Sequence, residues 1–175
     1  MIDVYTASYN VGGKWYVNPD FEAGGNKIWA SNNVRLENNE AAFNVGPGLW
    51  TDYNNTNITM TGNWAHDNRG LDAARGYQGE GIRLELSPNA GGFTITNNVT
   101  ERNTGAGITL TSVRDVDVRG NRFVGGIGVL FRNDDGRGAL TNITVTQNTF
   151  VGSTITTWGN RFPMTNVVTT GNTFV

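Results

Sequence analysis

Alternating apolar and polar residues recur in short runs along the chain, as in VRLENN, NITMTGN, TITNN, DVDVRGN and NITVTQN, and each run closes on an asparagine. The closing residues are Asn39, Asn63, Asn98, Asn121, Asn148 and Asn172, spaced 24, 35, 23, 27 and 24 residues apart. Such a near-constant spacing with one swelling marks stacked structural repeats. A second strand follows most anchors, led by glycine in GLWTDY, GIRLEL, GITLTS and GVLFRN, while STITTW in the fifth repeat keeps the strand and drops the glycine. No run steps every three to four residues, and the density of Gly, Asn and Thr opposes helix. The pattern therefore predicts one all-β domain over residues 1–175, a solenoid of parallel strands with about six coils stacked at about 4.8 Å. The corner asparagine suits a tight bend, because Asn tolerates the left-handed region and its amide can bond the asparagine one coil away.

Composition narrows the class. The 175 residues include 24 Gly, 24 Asn and 22 Thr but no Cys, which removes disulfides, cysteine zinc sites and thiol nucleophiles. Disorder is excluded by the 10% aromatic content and the regular apolar positions. Thirteen basic residues against fifteen acidic ones give a net charge of −2, so nucleic acid is not the expected partner. No stretch approaches the roughly 20 apolar residues of a membrane span. The opening MIDVYTASYN has no signal-peptide pattern, and the closing VTTGNTFV ends in mid-repeat without a cap. Both features lead to the expectation of an uncapped fragment of a longer, secreted or cell-surface protein.

Alternation assigns faces within the glycine-led strands. Leu49, Ile82, Ile108 and Val129 form one inward column, and Thr51, Leu84, Leu110 and Phe131 another. The outward columns are then Trp50, Arg83, Thr109 and Leu130, and beside them Asp52, Glu85, Thr111 and Arg132. Stacked Asp52 and Glu85 would place two carboxylates about 5 Å apart, with Arg83 and Arg132 nearby and Trp50 flat on the surface. Paired carboxylates can divide into acid and base, or hold calcium, while Trp50 stacks on a sugar ring and the arginines hold acidic sugars. The same residues also read as a surface ladder in which the arginines simply neutralise the acids. Glu22 extends the groove by one coil, with Lys27 a weaker candidate. His66, the one histidine, is flanked by Asp67 and Arg69, a set suited to carrying protons. The swelling RGLDAARGYQGE precedes the strand of Arg83 and Glu85 and adds Arg75, Tyr77 and Glu80 as ligand contacts. Asp134 and Asp135, in the turn after Arg132, are a further calcium candidate.

The pattern I-x-[LTM]-x-[NG]-N, seen in NITMTGNWAHDN and NITVTQNTFVGS, resembles the right-handed parallel β-helix repeats of the pectate-lyase-like superfamily, over residues 18–175. The resemblance implies a right-handed parallel β-helix. It also implies a carbohydrate-active function: binding of a polysaccharide or other glycan in a groove on one parallel sheet, with cleavage or modification by a lyase or glycoside hydrolase. The superfamily also contains epimerases, tailspikes and adhesins, so a non-catalytic structural or glycan-binding module is the alternative. Some epimerases of the superfamily carry Asp-Pro-His-Asp, of which only His66-Asp67 is matched here. Pectate lyases use calcium-binding carboxylates and a basic residue, types that Asp52, Glu85 and Arg83 supply.

Overall fold

A computed structural model describes residues 24–70, 79–133 and 138–175, together with the backbone of β1 (Ser8–Val11) and β2 (Lys14–Val17). These two strands pair antiparallel in a sheet of their own. All other strands are parallel and belong to one fourteen-stranded sheet. In chain order they are β3 (Ile28–Trp29), β4 (Arg35–Glu37), β5 (Glu40–Ala42), β6 (Leu49–Asp52), β7 (Ile58–Thr61), β8 (Trp64–His66) and β9 (Ile82–Thr96). There follow β10 (Val99–Glu101), β11 (Ile108–Arg119), β12 (Arg122–Arg132), β13 (Leu140–Thr146), β14 (Thr149–Trp158), β15 (Met164–Val168) and β16 (Thr173–Phe174). No helix occurs among the described residues.

The sheet wraps into three faces. The first holds β4, β7, the end of β9, the end of β11, β13 and β15. The second holds β5, β8, β10 and the starts of β12 and β14, followed by β16. The third holds β3, β6, the starts of β9 and β11, and the ends of β12 and β14. Six anchors thus enclose five full turns, with β3 contributing part of an earlier one.

Inside, like stacks on like. Leu49, Ile82, Ile108 and Val129 are in register, as are Thr51, Leu84, Leu110 and Phe131, and all are buried. The second face contributes a ring stack, Phe123 on Phe150 on Phe174, with 4.8 Å between successive centroids. At the corner entering the third face, Gly48, Gly81, Gly107 and Gly128 lead successive strands. A Cβ on Gly107 would stand 2.8 Å from the Gly128 carbonyl oxygen and 2.3 Å from Thr100 Oγ1, so the coil admits no side chain there.

The anchors form an unbroken hydrogen-bond ladder. Asn39, Asn63, Asn98, Asn121 and Asn148 each donate both the backbone N–H and the side-chain Nδ2 to Oδ1 of the next anchor, at 2.8–3.0 Å. From Asn63 onward, Nδ2 also reaches a carbonyl of the coil before: Leu36, Met60, Ile95, Val118 and Val145 in turn. The left-handed residue is not the anchor, as the sequence led us to expect, but its predecessor: Asn38, Gly62, Asn97, Gly120, Gln147 and Gly171 all have φ of 55–71°. The bend and the ladder are therefore divided between adjacent residues. A second ladder, Asn44 to Asn68 to Asn103, has the same geometry at the next corner.

The ladder should be most sensitive in its middle. Asn98→Ala removes one of the bonds to the buried Met60 carbonyl and takes the acceptor from the Asn63 backbone N–H and one Nδ2 hydrogen, costing about 2–4 kcal/mol. Asn172→Ala, at the last rung and partly exposed, leaves groups that water can reach and should cost about 1 kcal/mol. Urea unfolding midpoints of the two variants check this order, and equal losses would contradict it.

Candidate functional site

The third face places its outward residues in the anticipated register: Trp50 beside Arg83, Arg83 beside Thr109, Thr109 beside Leu130, and Asp52 beside Glu85 beside Thr111. The expected open groove is absent, however. Trp50 is 1% exposed, Arg83 2%, Leu130 0% and Arg132 7%. Trp50 does not lie flat on the surface. Its Nε1–H donates to Glu85 Oε2 at 3.2 Å, and its ring packs under the Lys27 ammonium at 4.2 Å with the Arg83 guanidinium at 5.3 Å. Two cations on an indole face and an acceptor at its edge hold the ring down among its neighbours.

Charge on this face is paired. Lys27 Nζ is 2.9 Å from Asp52 Oδ2, and Arg83 Nε is 3.5 Å from Glu85 Oε2. Glu80, completely buried, brings Oε1 to 3.7 Å from the same Nε. Burial raises the Glu80 carboxyl above its usual range, against the pull of Arg83. Neither Glu80 oxygen makes a hydrogen bond, and Asp52 Oδ1, Thr109 Oγ1 and Thr111 Oγ1 are likewise buried without one. Lys27, the weaker sequence candidate, is thus a full member of the cluster. The place beside Asp52 in the preceding coil belongs to Trp29. That residue is 60% exposed and stacks on Tyr53 at 5.4 Å between centroids. Aligning Ile28 with Thr51 in the sequence would have found both. Glu22, Arg75, Tyr77, Asp134 and Asp135 lie outside the described residues.

The second cluster sits on the second face. His66 is 3% exposed, with Nδ1 2.6 Å from Asp67 Oδ2 and Nε2 3.0 Å from Glu40 Oε1. Trp64 stacks on the imidazole at 3.7 Å and Phe43 meets it edge-on at 5.7 Å. Arg69, expected to join the pair, is exposed and stands apart, its backbone bridging Val45. Its place is taken by Arg102, which reaches Asp67 through Nε and Nη2 at 2.8–3.1 Å and Glu101 through Nη1 at 2.8 Å. Arg102 precedes Asn103 as Asp67 precedes Asn68, so the second asparagine ladder was the signal for it. The Arg102 guanidinium, and then His66, hold the Asp67 carboxyl down at about 2.

Calcium does not fit the donor set. The ion takes six to eight oxygens. Asp52 and Glu85 already face Lys27 and Arg83, and among the described residues no group of three His, Asp or Glu side chains could hold a metal ion.

A family model described as right handed beta helix region matches residues 11–123, more than half of the chain. No curated protein and no solved structure matches.

The Asp67–Arg102 pair generates a pH dependence. A carboxyl lowered from 3.8 to about 2 contributes stability that is present above pH 4 and lost as pH falls through 2. Arg102→Gln removes the main cause of that lowering. The stability gap between the protein and this variant should be widest above pH 4 and should close toward pH 2. Urea midpoints measured across that range check the sign, and a constant gap would refute the ion-pair account.

Proposed function

The chain belongs to the right-handed β-helix family, and from that premise we propose that it binds a polysaccharide on the outer side of its third face and acts on it there. The observation that carries this reading is the cluster of Glu80, Asp52, Thr109 and Thr111, which is buried on the outside of the solenoid with hydrogen bonds unmade. Buried polar atoms without partners are costly, so their retention on an outward face argues for a role other than stability. Arg83 lies between Glu80 and Glu85, at 3.7 and 3.5 Å. A carboxyl whose proton affinity burial raises, beside one paired to a guanidinium, is an arrangement in which acid and base roles separate. Glu80 is then the proton donor and Glu85 the base or nucleophile, with Arg83 and Arg132 toward acidic substituents of the sugar. Trp29 and Tyr53 offer an exposed stacking surface at the N-terminal end of the face. We place the protein outside the cell or on its surface, where such polymers occur.

A second reading, a non-catalytic glycan-binding or structural β-helix of adhesin or tailspike type, draws on the Lys27–Asp52 and Arg83–Glu85 pairs, which already neutralise the acids.

The test is a panel of acidic and neutral polysaccharides, assayed for new reducing ends, for absorbance of unsaturated uronates and for binding. Turnover that falls about 100-fold or more in Glu80→Gln and Glu85→Gln, with unchanged circular dichroism, supports the enzyme. Binding without product establishes the second reading. Neither binding nor product from a folded sample would sink both.

A further inference from the structure

The left-handed corner before the second asparagine ladder is occupied in successive coils by Phe43, Asp67, Arg102, Gly125 and Gly152, with φ of 60, 54, 53, 74 and 54°. Asn or Gly would satisfy such a corner without strain, as the last two coils show, whereas a bulky aromatic there is an outlier. Phe43 nonetheless sits there and is 75% exposed, so neither backbone preference nor core packing accounts for it. Trp64, which shares the His66 ring with it and is 40% exposed, is fixed on three sides. It stacks on His66, donates Nε1–H to Glu101 Oε1 at 3.0 Å, and lies in strand register between Glu40 and Val99. His66 is itself held between Glu40 and Asp67. Both exposed rings therefore rest on one immobilised imidazole.

We propose that Phe43 and Trp64 form a saccharide-binding platform on the second face, separate from the third-face site and selective for neutral sugars. Rings fixed in advance with an open surface stack on the apolar side of a pyranose and lose little freedom in doing so. Charge decides the class of sugar. Glu40, Asp67 and Glu101 surround the rings, and the nearest described guanidinium, Arg102, is engaged by Asp67 and Glu101, while Arg122 stands two coils on in the column of Trp64. Uronates and sulfates stacked on the rings meet three carboxylates and a guanidinium already engaged, whereas the Glu40 carboxylate, with a side chain 61% exposed, accepts hydrogen bonds from hydroxyls. His66 acts as a positioning residue beneath the rings. The platform shares only the general ligand class with the proposed third-face reaction and does not depend on it.

Isothermal titration with hexasaccharides of β-1,4-linked glucose, xylose and mannose, and with oligogalacturonate, tests this directly. Expected is saturable binding of at least one neutral hexamer at about 1 mM or below, weakened about tenfold or more in Trp64→Ala. Phe43→Gly is the discriminating variant. It relieves the corner, so its thermal midpoint should rise, while neutral-sugar affinity falls by a similar factor. Loss of turnover in Glu80→Gln and loss of neutral-sugar binding in Trp64→Ala are separate readouts, so failure of the third-face reaction and failure of the platform are separately visible. No neutral hexamer bound by the folded protein, affinity unchanged in both Trp64→Ala and Phe43→Gly, or preference for oligogalacturonate would each overturn the proposal.

Discussion

The asparagine ladder is the constraint on which the rest of the solenoid hangs. A carbonyl has two lone pairs, and at the corner one of those on a buried strand carbonyl lacks a partner within the strand ladder. Each anchor from Asn63 onward supplies that partner: its Nδ2 satisfies the carbonyl three residues before the previous anchor, and its Oδ1 accepts from that anchor's amides. The geometry works only if successive anchors lie directly over one another. The ladder therefore fixes the register of the three faces, and everything stacked on them, the phenylalanine column included, follows from it. A one-residue slip would orphan the carbonyl and turn every inward side chain outward.

The same logic explains which parts of the molecule were legible from sequence. With Asn98 and Asn121 recognised as equivalent, Ile82 and Ile108 had to stack, and their direction followed from alternation. Alternation gives the direction of a side chain but not what lies over it. Trp50 points outward as read, yet it is buried, because the Lys27 and Arg83 cations and the Glu85 carboxylate gather around its ring. Arg102 and Trp29 escaped notice for another reason. Each belongs to a corner or partial coil outside the main period, and the 35-residue spacing between Asn63 and Asn98 hid the partnership of Asp67 with Arg102. The left-handed residue was misplaced by one, since Asn serves both as bend and as ladder and the sequence alone does not separate the two roles.

The outer faces differ in a way the shared scaffold does not require. The third face half-buries two carboxylates, Asp52 and Glu85, against Lys27 and Arg83, with a third carboxyl, Glu80, fully buried and without a hydrogen bond. The second face keeps its aromatic rings open and surrounds them with acids that outnumber Arg102. A β-helix needs neither arrangement to stand: the inward columns and the ladders meet the demands of stability, and a polar outward residue that reaches water would serve at any of these places. Where a repeat departs from its own least costly solution, ordinary folding does not explain the departure. Glu80, buried without hydrogen bonds, and Phe43, strained and exposed, are two such departures on different faces of the early coils. By the later coils Gly125 and Gly152 occupy the Phe43 corner, and the outward places of His66 and Glu101 pass to Val124 and Val151. The chemistry is thus concentrated toward the N-terminal half of the described solenoid, and the C-terminal coils extend the stack that holds it in register.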